Sequence, residues 1–124
     1  MIEGPLSLPA VEAARAYRPI APILLGSEVS NALRTQIKAG RYELEWCLTQ
    51  LRRLPRLVQF EDERALWPTA LQLAAERDHA AYDCVYVAMA LIRAIPLVTA
   101  DVKLAAKFSD LPILELRTLQ DWTR

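Results

Sequence analysis

The stretch from Ala81 to Ala100 constrains the architecture more than any other part of the chain. From Ala81 to Ala94 it has helical spacing and is apolar nearly all round. A helix without a polar face has to be covered on every side. Pro96-Leu-Val-Thr-Ala100 then forms a short apolar run bounded by turn signals, which predicts a buried strand. A buried helix feeding a buried strand is the unit from which parallel, helix-covered sheets are built.

The rest of the chain extends this pattern. Leu8 to Tyr17 reads as a short amphipathic helix, and Pro19 and Pro22 break the chain around a short extended piece. A helix is predicted to begin near Leu24 or Ser27, with Val29, Ala32, Leu33 and Ile37 as its apolar stripe and Gly40 at its end. Arg41 to Leu54 is predicted as the next helix, with Leu44, Cys47, Leu48 and Leu51 facing inward and Pro55 as the stop. Arg56 to Phe60 alternates like a strand, and Asp62 caps a helix that runs to Arg77 with a step near Pro68. Val102 to Phe108 reads as a short helix and Pro112 to Leu116 as a last strand. The expected class is α/β with a mostly parallel, covered sheet, in a single domain spanning 1–124.

Composition removes several function classes. A net charge of zero argues against a globally basic nucleic-acid binder, and 53% apolar residues argue against disorder. Cys47 and Cys84 stand 37 residues apart and His79 is the only histidine, so neither a thiolate zinc site nor a disulfide framework is expected. Both cysteines read as small core hydrophobes, which suits a reducing, cytoplasmic setting. The opening MIEGPLSLPAVEAARAYRP has neither a basic n-region nor an apolar h-region, so no secretory signal is expected. The most apolar stretch is interrupted by Arg93 and Pro96, so no membrane span is expected. Gly4, Gly26 and Gly40 lie outside any phosphate-cradling pattern.

Most acids fall where solvated faces or helix caps are expected; three do not. Asp83 leads the apolar helix, where a carboxylate serves the helix dipole or needs a partner or metal. Asp101 follows the strand Leu97-Val-Thr-Ala, at the strand end where open parallel sheets bind ligands, and it equally suits the N-cap of the next helix. Glu28 stands in Gly26-Ser-Glu-Val-Ser-Asn, expected in the first turn of its helix, where an acid also favours the dipole. Carboxylates clustered without Cys or His favour hard divalent cations, Mg²⁺ or Mn²⁺, which activate water and clamp phosphodiesters.

At these residues the chain resembles the PIN-domain ribonucleases, specifically the VapC-like toxins of toxin–antitoxin pairs. The resemblance rests on Tyr82-Asp83-Cys-Val-Tyr-Val-Ala-Met-Ala followed by Ala94-Ile-Pro-Leu-Val-Thr-Ala-Asp101-Val-Lys-Leu, and on Ile20-Ala-Pro-Ile-Leu-Leu-Gly-Ser-Glu28-Val-Ser-Asn-Ala-Leu33. It covers about Leu8 to Leu116. It implies a three-layer α/β/α sandwich around a mostly parallel sheet. It implies Glu28, Asp83 and Asp101 as metal-site acids, with Thr99 as a hydroxyl helper beside them. The implied chemistry is Mg²⁺- or Mn²⁺-dependent hydrolysis of RNA phosphodiesters. The implied partners are RNA, a VapB-like antitoxin and a second copy in a homodimer. The family's opening strand, which ends in an aspartate, has no counterpart at Met1-Ile-Glu-Gly-Pro, so the expected fold is N-terminally shortened. A catalytically impaired PIN-like module that keeps antitoxin or RNA binding is the competing expectation. A plain α/β scaffold whose acids are caps is a third.

Arg34, Lys38, Arg41, Arg52, Arg53 and Arg56 face only Glu43 and Glu45 in the same segment. That local excess is suited to guiding a phosphate backbone, with Arg34, Lys38 and Arg41 as the candidate RNA contacts; it also fits a solvated helix face. Trp46 and Trp67 read as core or interface aromatics rather than base-stacking platforms, and His79 as a turn residue.

Overall fold

The computed structural model describes residues 19–99, 101–111 and 116–117. The fold is mixed α/β and divides into two compact units, Met1–Glu61 and Asp62–Arg124. The helix expected over Leu8–Tyr17 lies outside the described residues. Among the described residues, no helix is long and apolar enough to cross a membrane.

The first unit is a parallel strand pair joined by a two-helix crossover. β1 (Ile20–Pro22) pairs with β2 (Gln59–Glu61) in the register Ile20↔Gln59, Ala21↔Phe60 and Pro22↔Glu61. Parallel partners require a long crossover, supplied here by α1 (Leu24–Lys38) and α2 (Leu44–Leu57). The core consists of Ala21, Val29, Leu33, Cys47, Leu54 and Val58, flanked by Leu25, Ile37, Leu51, Leu57 and Phe60. Val29, Leu33 and Ile37 thus form the expected inward stripe of α1. On α2 the inward set is Cys47, Leu51 and Leu54; Leu44, expected inside, is exposed.

α1 starts at Leu24, as the sequence reading allows, while both ends of α2 and the start of β2 differ from that reading. α1 begins at Leu24 without a polar cap, because the strand–helix turn is anchored by backbone instead: Ile23 N–H donates to the Glu61 carbonyl at 3.2 Å. Pro55 does not stop α2 but sits inside its last turn. Proline there forfeits one intrahelical bond while its fixed φ remains helical, and the Val58 N–H still reaches the Leu54 carbonyl at 3.0 Å. Since the helix claims Arg56 and Leu57, the strand expected from Arg56 starts only at Gln59.

Gly40 ends the hydrogen-bonded wrap of α1 as expected. Its φ is +74°, its N–H donates to Ile37 O at 3.0 Å, and Arg41 N–H donates to Gln36 O at 3.1 Å, which completes a Schellman motif. Gly26 lies in the first turn of the same helix with open space around its Cβ position. Two glycine-to-alanine changes should therefore have opposite signs. Gly40→Ala is expected to cost about 1–2 kcal/mol, and Gly26→Ala to stabilise by about 0.5–1 kcal/mol, read from urea midpoints.

The second unit opens with Asp62, whose Oδ1 accepts the Arg64 N–H at 2.9 Å and whose carboxylate pairs with the Arg64 guanidinium. That pairing holds the Asp62 carboxyl below its ordinary pKa. A 3₁₀ turn (Arg64–Leu66) then steps into α3 (Trp67–Arg77), with Pro68 in the first helical turn, as expected of a stepped helix. α3 packs on α4 (Ala81–Arg93), whose Cys84, Val85, Val87, Ala88, Met89 and Ala90 are all buried. The helix is covered along its middle, while its ends, Ala81 and Tyr82 and then Ile92 and Arg93, are exposed. β3 (Leu97–Val98) pairs in parallel with β4 (Leu116–Arg117), and α5 (Val102–Lys107) follows β3 in sequence. Residues 112–115 of the expected last strand lie outside the described residues. Leu66, Ala70, Leu73, Leu104 and Phe108 are also buried in this unit. Trp46 and Trp67 are exposed rather than core, and Trp46 stacks on Tyr42 with ring centroids 4.6 Å apart.

Candidate metal centre

Asp101 is placed by local chain chemistry. Its Oδ1 accepts the N–H groups of Lys103 at 3.0 Å and Leu104 at 3.1 Å, so it is the N-cap of α5. Thr99 Oγ1 accepts the Asp101 N–H at 3.0 Å, fixing the turn between β3 and α5. The cap role and a ligand role are compatible, because the two cap bonds use only Oδ1.

Asp83 lies in the first turn of α4, half-buried. His79 precedes the helix, and its Nε2 lies 2.9 Å from Asp83 Oδ2. The imidazole is little exposed and meets Phe108 edge-on, with centroids 6.2 Å apart at 81°. Arg77 backs the same ring, its guanidinium carbon 5.2 Å from the Phe108 centroid. Arg77 also donates to the Lys107 carbonyl at 2.8 Å and pairs with Asp110, whose carboxyl it holds below its ordinary pKa. The C-terminal ends of α3 and α5 are thereby tied together behind His79.

One ligand atom each from His79, Asp83 and Asp101 lie within 4.8 Å of one another. Two carboxylates and an imidazole form a donor set that fits a divalent cation: the acids supply charge and the ring a neutral lone pair. The adjacent Cys84 thiol is buried, and burial together with the Asp83 charge pushes its pKa up, which suits a packing role and not a thiolate nucleophile.

The other candidate residues lie in the first unit. Glu28 sits on α1 in the second helical turn, not the first, because the helix starts at Leu24; the dipole reading of this acid therefore fails. Arg34, Lys38 and Arg41 are exposed, as are Arg52, Arg53 and Arg56. Arg34 and Lys38 share one face of α1 at four-residue spacing.

Sequence reading placed His79 in a turn and missed its contact with Asp83. The available signal was the four-residue spacing, obscured because His79 lies outside the helix that carries Asp83. No family model, curated protein or solved structure matches the chain.

Proposed function

We propose that the chain is a metal-dependent endoribonuclease with a PIN-like α/β/α sandwich, acting as a VapC-like toxin in the cytoplasm. A VapB-like antitoxin neutralises it, and a homodimer is its working assembly. The observation that carries this reading is the meeting of Asp83 and Asp101, the two acids of the paired sequence motifs, within one small cluster. Glu28, in the first unit, enters through the sequence resemblance alone.

In this reading Asp83 and Asp101 hold Mg²⁺ or Mn²⁺. A bound ion of this kind lowers the pKa of a water and neutralises charge on a phosphodiester. The residues of the chain supply placement. The N-cap bonds hold Asp101 in one rotamer before any ligand arrives, and the Thr99 hydroxyl keeps the Asp101 backbone in the turn that presents it. Low reorganisation is what makes fixed charges effective in catalysis. Arg34, Lys38 and Arg41 raise the local concentration of RNA through its phosphates.

The test is cleavage of a structured RNA by purified protein, with and without Mn²⁺, beside an Asp83→Asn/Asp101→Asn double variant prepared identically. Cleavage by the wild type alone, and only with metal, is the expected result. Equal behaviour of the two proteins would remove the enzyme reading and leave a binding module.

A further inference from the structure

We infer that His79 is itself a metal ligand and that it raises the affinity of the Asp83–Asp101 site for borderline dications such as Zn²⁺ relative to Mg²⁺. This rests on the proposed metal role of the two acids. The first support is geometric. Ligand atoms about 2.1 Å from an octahedral ion lie about 3.0 Å apart when adjacent and about 4.2 Å apart when opposite. His79 Nε2 and Asp83 Oδ2 are 2.9 Å apart, the spacing of adjacent ligands. The whole cluster falls within 4.8 Å, so small side-chain rotations close it.

The second support is the way the ring is held. His79 presents Nε2, not its other nitrogen, to Asp83, and the edge contact with the fully buried Phe108 keeps the imidazole in that orientation. A fixed ring loses little entropy on ligation, which favours a site over a mobile surface pair. The third support is chemical. Carboxylates alone suit Mg²⁺, whereas a neutral imidazole adds affinity for borderline ions that Mg²⁺ does not share.

His79 is the only histidine, so a tag-free, ¹⁵N-labelled chain shows one imidazole, with no assignment needed. Calorimetric titrations with Zn²⁺ and with Mg²⁺ accompany the spectra, on the wild type, His79→Gln and Asp83→Asn/Asp101→Asn. The expected result is a Zn²⁺-induced shift of Nε2 at one equivalent. His79→Gln should then lose roughly 10–100-fold in Zn²⁺ affinity while Mg²⁺ affinity stays unchanged. Zn²⁺ binding that leaves the imidazole unmoved, or equal Zn²⁺ affinity of wild type and His79→Gln, overturns the inference; the acid-only metal site then stands if the double variant loses Mg²⁺. Undiminished Zn²⁺ binding by the double variant also overturns it, since the histidine would be binding zinc without the acids. A folded wild type that binds neither ion overturns both the inference and the metal-dependent reading beneath it.

Discussion

On the proposed ribonuclease reading, Asp101→Asn is expected to reduce metal-dependent RNA cleavage by at least about 100-fold while changing stability by less than about 1 kcal/mol. The two effects separate because the two roles of Asp101 draw on different properties of the side chain. As an N-cap it needs one oxygen that accepts the Lys103 and Leu104 N–H groups, and asparagine offers such an oxygen. As a metal ligand it needs negative charge, which asparagine lacks. Asp101→Ala removes both, and should add about 0.5–2 kcal/mol of destabilisation to the same loss of activity. Melting curves measured beside cleavage rates distinguish the cases. An Asn variant that keeps full activity would assign Asp101 to the cap alone.

Asp101 also marks what the sequence makes legible. Its cap bonds run to residues two and three positions ahead, so the relevant chemistry lies within a few letters of text. Gly40 was equally readable, because a positive φ at a helix end is a local demand that glycine meets. The buried helix Ala81–Arg93 could be read from its uniform apolarity. Features decided at a distance could not. The choice of Leu24 over Ser27 as the start of α1, which the sequence left open, is set in part by a bond from Ile23 to Glu61, residues separated by most of the first unit. Pro55 misled because its cost depends on where in the helix it falls: in the last turn it removes one bond, and the helix runs on for two residues. Trp46 and Trp67 are large and apolar, which makes burial the default expectation, yet exposure depends on which neighbours the fold supplies.

The site was half legible for the same reason. Asp83 and Asp101 were singled out because each stands where an acid is unusual or strategically placed. His79 was not, because a histidine in a turn is unremarkable until the helix after it is known to begin at Ala81. Only then does the ring fall one turn ahead of Asp83.

Phe108→Ala is expected to destabilise the chain by about 3–5 kcal/mol, the largest effect on stability among these changes. Phe108 is fully buried, so truncation removes the transfer energy of a phenyl ring and leaves a cavity. Two further contacts disappear with it. The Arg77 guanidinium loses the ring face it lies over, though its bonds to the Lys107 carbonyl and Asp110 remain. His79 loses the edge contact that orients its imidazole toward Asp83. Phe108→Leu fills most of the volume and should cost less than about 1.5 kcal/mol, while still removing the aromatic edge. Urea unfolding followed by circular dichroism ranks the three proteins. If the Ala variant lost less than about 1 kcal/mol, the ring would not be enclosed as described, and the support it gives His79 would fall with it. If the Leu variant stayed folded but bound Zn²⁺ more weakly than the wild type, the hydrophobic wall behind the imidazole would be shown to act on the metal centre and not only on the core.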